Sequence, residues 1–200
     1  MIFHNSQSQI AKDNHRYRVV NCGRRFGKTI LSVYEMVAKA SGMENGSIAY
    51  IAPTYQQARD IAWEQLKKIC VPVISGQPNE SRLEINIVNR FGGTSKIVLR
   101  GWESVETLRG QAFDLLVLDE ISMYRNFWVN WMEVLRPTLT DRKGHALFIS
   151  TPKGFNHFYD LYNKESKDGD FKSFHFTTYD NPYIPPEEIE KAKSELTEDR

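Results

Sequence analysis

Residues able to work on a phosphate chain cluster in a few short stretches. The run Cys22-Gly23-Arg24-Arg25-Phe26-Gly27-Lys28-Thr29 ends as a phosphate-binding loop ends, in Gly-Lys-Thr. In such a loop the backbone N–H groups and the start of the next helix attract phosphate. Lys28 would reach the β- and γ-phosphates, and Thr29 would offer its hydroxyl to Mg2+. The usual opening glycine is replaced by Cys22, and Gly23 beside it is expected to supply some of the missing backbone freedom. Arg24 and Arg25 add positive charge where nucleotide charge would lie. The plain alternative is a glycine turn with an incidental lysine.

A second stretch weighs against that alternative. Asp119 and Glu120 follow the apolar run Leu115-Leu116-Val117-Leu118. An unpaired carboxylate beside a buried strand is costly, so an acidic pair there needs a purpose. With Lys28 and Thr29 upstream, Asp119 is expected to hold Mg2+ through water, and Glu120 to orient and deprotonate an attacking water. The second carboxylate favours hydrolysis over transfer to a small metabolite. A guanine reader would be Asn-Lys-x-Asp, and the nearest string, Asn163-Lys164-Glu165-Ser166, lacks the aspartate, so ATP is preferred over GTP.

The chain that must position these groups has 200 residues, 40% hydrophobic and 26% charged, with a net charge of +1. That suits one domain with a full core and excludes a chain-wide basic field for nucleic acid. Cys22 and Cys70 form no disulfide framework and have no metal-ligand spacing, and the histidines show none either. No apolar run is long enough to cross a bilayer, and the N-terminus lacks the apolar stretch of a signal peptide.

Apolar runs and helical stripes alternate. Strands are expected at Arg18 to Asn21, Ser47 to Ala52, Leu83 to Val88, Lys96 to Leu99, Leu115 to Leu118, Ala146 to Ser150 and Phe171 to Thr177. Helical spacing runs from Ile30 to a stop at Gly42, from Ala58 to Cys70, from Phe127 to Leu135 before Pro137, and through a charged stretch from Glu187 to Leu196. Gly92-Gly93 marks a hairpin. The order predicts an α/β fold of the P-loop NTPase kind, with a central, mostly parallel sheet and helices on both faces. Trp63, Trp102, Phe127, Trp128 and Trp131 read as core or subunit interface, not as stacking platforms for bases.

GRRFGKT, then Leu118-Asp119-Glu120, then Ser150-Thr151-Pro152-Lys153-Gly154 resemble, in order and spacing, the ATPase domain of tailed-bacteriophage large terminase subunits. The resemblance runs from about Gln7 to the end of the chain, and a small residue such as Cys22 before GRR fits that family. It implies an ASCE-type, helicase-like ATPase with ATP and Mg2+, powering movement of double-stranded DNA into procapsids. It implies that Gln7, with Gln9 the nearby alternative, reads the adenine edge. Leu108-Arg109-Gly110 resembles the arginine-finger segment, acting across a subunit boundary. Arg24 competes for that role within its own subunit. Ser150, Thr151 and Pro152 resemble the coupling motif, and Tyr50 to Thr54 resembles the segment after the second core strand of helicase-like ATPases. Implied partners are the portal protein, the small terminase subunit and further copies in a ring on the portal, in the host cytoplasm and transiently at the portal vertex. The family's nuclease domain is expected to be absent from residues 1–200. A helicase-like translocase is the alternative, but it needs a second core domain. A non-hydrolysing interaction module is disfavoured by Asp119-Glu120.

Overall fold

The computed structural model describes residues 3–198. Seven strands form one sheet: β1 (Tyr17–Cys22), β2 (Ser47–Ala52), β3 (Glu84–Val88), β4 (Thr94–Gly101), β5 (Leu115–Asp119), β6 (His145–Ser150) and β7 (Phe171–Phe176). Their order across the sheet is β3-β4-β2-β5-β6-β1-β7. All neighbours are parallel except the β3–β4 hairpin. The strand that leads into the phosphate loop, β1, is separated from the strand that ends in the acidic pair, β5, by β6. That insertion is the arrangement of ASCE-type P-loop ATPases, as the motifs predict.

Both faces of the central strands are buried, which explains why β5 and β6 are almost continuously apolar. The pleat sorts their side chains. One face gathers Val20, Cys22, Ile48, Tyr50, Leu115, Val117, Leu147 and Ile149 under α1 (Asn5–Lys12) and α2 (Lys28–Gly42). The same face receives a long helical segment built from Tyr55–Gln57, the π-helical Ala58–Trp63 and Glu64–Cys70. The other face gathers Val19, Ile51, Leu116, Leu118 and Phe148 under Trp102–Leu108, the helical residues from Phe127 to Thr138, and His157–Tyr162. Trp63 is core on the first face, and Trp102, Phe127 and Trp131 are core on the second, as their sequence context predicts.

Several elements depart from the expectations. α1 is absent from the periodicity pattern, because Ile10 is the lone strongly apolar residue that it buries. Its N-terminus is closed instead by a capping box between His4 and Gln7. Pro137 does not end the helical segment before it. It lies inside helical residues 127–138, one residue before their end, and the Glu133 carbonyl four residues back accepts from Arg109 at 3.0 Å. The short helix His157–Tyr162 is capped by the Asn156 side chain and anchored by Phe158 and Leu161. The last helix, Pro186–Glu198, is charged, as predicted. Among the described residues no helix is long and apolar enough to cross a membrane.

Candidate nucleotide site

β1 delivers the phosphate loop and α2 receives it. Gly27 caps α2 in the left-handed region at φ 95°. Ahead of it, Arg25 takes φ 60°. The left-handed step inside the loop is therefore made by an arginine, not by Gly23. Gly23 is needed for closeness instead: a Cβ there would lie 2.7 Å from Thr178 Oγ1 and 2.8 Å from the Thr178 nitrogen. The loop is clamped from that side. Gly23 N–H donates to the Phe176 carbonyl at 3.0 Å. Thr178 Oγ1 donates to the Arg24 carbonyl at 3.0 Å, and Asn181 Nδ2 donates to the Arg25 carbonyl at 2.7 Å. The Arg24 and Arg25 side chains stand exposed.

From the other side α1 holds the same loop. His4 Nε2 lies 3.1 Å from the Phe26 carbonyl. Gln7, buried, accepts the His4 N–H through Oε1 at 3.3 Å and donates through Nε2 to the Gly27 carbonyl at 3.2 Å. One N–H and one lone pair of that amide are left over. A cavity of about 320 Å3 opens beside Gly27, Lys28 and Thr29. A second, of about 450 Å3, lies between the start of α1 (His4, Asn5) and the Tyr179–Tyr183 turn.

Three parallel strands end together at the loop. Lys28 Nζ lies 2.8 Å from Thr151 Oγ1 and 3.3 Å from Glu120 Oε1, joining the loop to the ends of β6 and β5. Ser150 Oγ and the Thr151 N–H each reach Glu120 Oε2, at 3.3 Å and 3.4 Å. Ser150 also sits 2.8 Å from Ser122 Oγ, and Ser122 donates to the Thr151 carbonyl at 3.0 Å. Glu120 itself lies at φ 50°. It turns the chain off the strand so that its carboxylate meets β6 instead of continuing the pleat. Pro152 directly follows this network.

Asp119 is buried. Tyr50 donates to Oδ2 at 2.6 Å and the Glu120 N–H to Oδ1 at 2.9 Å. Burial pushes its carboxyl up to about 6, against the pull of the Tyr50 hydrogen bond and Lys28. The donor set fits Mg2+. One hydroxyl (Thr29) and one carboxylate (Asp119) are hard oxygen donors, as a cation that keeps waters and phosphate oxygens requires. Among the described residues no group of three or more His, Cys, Asp or Glu side chains could hold a metal unaided. Burial also pushes the Cys22 thiol up to about 12, so it is packing and not a nucleophile.

The structure thus gathers Gln7, Gly23, Arg24, Arg25, Gly27, Lys28, Thr29, Asp119, Glu120, Ser150 and Thr151 at one edge of the sheet. Arg109 is elsewhere. Exposed, it forks onto Glu106 and donates to the Glu133 carbonyl at 3.0 Å. Sequence reasoning missed His4, Ser122, Thr178 and Asn181, and it named Tyr50 only as the start of a segment after the second strand, whereas Tyr50 lies inside β2. Only Tyr50 carried a signal, a polar end in the middle of an otherwise apolar strand.

The family model described as terminase large subunit, T4likevirus-type, N-terminal, matches residues 19–200. The terminase large subunit of Thermus phage G20c is 31% identical over 207 residues, covering 88% of this chain and 42% of that protein. That of Escherichia phage T5 is 28% identical over 183 residues, covering 90% and 40%. The chain therefore spans about two-fifths of the length of these relatives. The large terminase ATPase domain of Thermus phage P74-26 superposes with a TM-score of 0.72 at 28% identity, covering 94% of this chain and 90% of that one. The large terminase of another thermophilic bacteriophage, also solved with ATP-γ-S, reaches 0.80 at 17% identity over 96% and 50%, a likeness of fold. With a family model covering most of its length behind that agreement of fold and motif order, the chain belongs to the N-terminal family of T4-like terminase large subunits.

Proposed function

We propose that this domain hydrolyses ATP to drive double-stranded DNA into a viral procapsid. The observation that carries the proposal is the meeting of Lys28, Glu120 and Thr151 within 3.3 Å at the ends of three parallel strands. Lysine and acidic base are then beside one phosphate cradle, with a hydroxyl from a third strand able to feel what lies between them.

In this reading the triphosphate fills the cavity over Gly27 to Thr29. It draws Lys28 off Glu120 and Thr151, because a phosphate chain is the stronger anion. Gly23, Arg24 and Arg25 line the approach. The base lies in the hollow between His4-Asn5 and Tyr179–Tyr183, where aromatic faces and polar edges converge, and Gln7 reads its adenine edge. Thr29 and, through water, Asp119 would hold Mg2+, which when bound would neutralise charge on the β- and γ-phosphates. Glu120, released from Lys28, takes a proton from the water aimed at the γ-phosphate. Ser150 and Thr151 lose or keep their contact with Glu120 according to whether a γ-phosphate is present, and Pro152 passes that difference to the following loop. Arg109 serves a neighbouring subunit's site, which needs a ring. DNA, portal protein and small terminase subunit are the partners of the assembled motor, in the host cytoplasm.

Glu120→Ala tests the assignment. It should bind ATP with near-parental affinity, measured by calorimetry, and lose turnover by a factor of about a hundred or more. Hydrolysis at the parental rate would remove Glu120 from the role of base. Turnover per subunit should also rise with protein concentration, since the arginine comes from a neighbour.

A further inference from the structure

We propose that Tyr50 is a positioning residue for the metal carboxylate, its buried phenol holding Asp119 in the orientation that a Mg2+–nucleotide requires. The proposal rests on the reading of Asp119 as the metal carboxylate.

Tyr50 lies in the middle of β2, fully buried among apolar side chains. Phenylalanine would fill that volume without burying a hydroxyl, which costs free energy unless it is bonded. The hydroxyl is bonded, to Asp119 Oδ2 at 2.6 Å. The register explains the contact. Tyr50 pairs with Val117 and Ile51 with Leu118, so Asp119 is two residues beyond Tyr50's partner on the same face of the sheet.

The carboxylate needs such a partner. Asp119 is the last residue of β5, and Glu120 immediately leaves the strand at φ 50°. Strand pairing therefore does not fix the side chain from both sides. Tyr50 on Oδ2 and the Glu120 N–H on Oδ1 place one donor on each oxygen and so define the carboxylate plane, while each oxygen keeps a lone pair free. A second phenol steadies the backbone of the same residue: Tyr124 lies 2.9 Å from the Asp119 carbonyl and 2.7 Å from that of Ile51, tying β5 to β2. Mg2+ tolerates little departure from octahedral geometry, so a carboxylate free to swing binds it, or its water shell, less well. Partners of this kind are typically worth ten- to a hundredfold in metal affinity.

The test is Tyr50→Phe with Mn2+ as the paramagnetic probe, read as loss of the free-ion signal on titrating ADP-loaded protein. Mn2+ affinity should fall by about tenfold or more. ADP binding without metal should stay parental. Tyr50→Phe with Mn2+ affinity within twofold of parental overturns the proposal, as does an equal loss of metal-free ADP binding, which would mark a merely structural residue. Asp119→Asn reports on the underlying reading: if it binds Mn2+ normally, Asp119 is not the metal carboxylate at all. A further measurement avoids the variant. 3-Fluorotyrosine at position 50 should give a 19F resonance that moves when Mg2+ is added to the ADP-loaded protein, and an unmoved resonance overturns the proposal.

Discussion

Removing one carboxylate far from the phosphates should loosen the loop's support. Arg18 on β1 and Glu35 on α2 form an ion pair at 2.5 Å, with side chains 6% and 11% exposed. The Arg18 guanidinium also donates to the Ile10 carbonyl at 2.8 Å, in α1, while its Nε has no acceptor. One cation thus ties together β1, α1 and α2, the elements that carry and brace the loop. Glu35→Ala leaves that cation buried, with one carbonyl for company and no anion. Breaking a buried pair from one side costs about 3–5 kcal/mol, and the already unmet Nε places this case in the upper half. At this chain length each kcal/mol moves the melting temperature by about 2–4 °C, so a loss of about 8–20 °C is expected by calorimetry. The double replacement Arg18→Met with Glu35→Leu should recover most of it, because the cost lies in the orphaned charge and not in the missing attraction. Lys96→Ala, which breaks a half-exposed pair with Glu84, should cost less than about 1 kcal/mol. If Glu35→Ala melts within the range of Lys96→Ala, the guanidinium is finding water, and its burial does not carry the energy assigned to it.

Gly23→Ala must displace the Thr178 backbone nitrogen, which a Cβ would meet at 2.8 Å. The overpacking is worth about 1–3 kcal/mol, and since the loop must shift to absorb it, nucleotide affinity should fall about tenfold. An unchanged affinity in a calorimetric titration would show that the clamp at Thr178 yields freely. Burial holds the thiols of Cys22 and Cys70 up at about 12 and about 11, so neither should be alkylated by iodoacetamide at pH 8.5 in the folded chain, while both react in urea, as mass spectrometry would read. The sign for stability follows: the folded Cys22 thiol keeps its proton above the ordinary 9.0, so its contribution is intact below pH 9 and is lost as pH rises towards 12. A stability that stays flat across that window would contradict the burial of Cys22.

The centre of the sheet was legible because its strands are buried on both faces and so read as apolar runs; Leu115 to Leu118 and Ala146 to Ser150 need no further context. The candidate site at the strand ends was legible for a related reason. Charged and hydroxyl residues placed directly after such runs stand at strand ends, where the sheet brings them together. What escaped was structure made by polar side chains acting on backbone. α1 forms on a capping box and a buried glutamine, not on an apolar stripe, so periodicity passes over it. Thr178 and Asn181 lie 154 and 156 residues from the carbonyls they hold, and no local pattern encodes so distant a pairing. Gly23 was read as a source of backbone freedom, whereas its bare α-carbon makes room for the Thr178 turn.

The two candidate arginines differ in where the sheet puts them. Arg24 belongs to the phosphate loop, with its carbonyl pinned by Thr178 and its side chain exposed beside the cradle. Arg109 follows Trp102–Leu108, whose Trp102, Val105 and Leu108 pack on the face opposite α2. Its bonds to Glu106 and to the Glu133 carbonyl lie on that outer surface. Such a pair, exposed to water and screened by it, holds only weakly, so the fork onto Glu106 is easily given up. A γ-phosphate offered by another subunit would be a far better anion. The placement therefore supports a division of labour. In the proposed reading Arg24 would steady phosphates from within, and Arg109, on an outer face, would serve a neighbour. Mixing a Glu120→Ala chain with an Arg109→Ala chain separates the two roles. If Arg109 acts across a boundary, assembled mixtures contain sites with an intact base and a neighbour's intact arginine, and turnover should exceed that of either variant alone. If the mixture stays as inactive as its parts even when concentrated, Arg109 is not a finger in trans, and Arg24 takes the role within its own subunit.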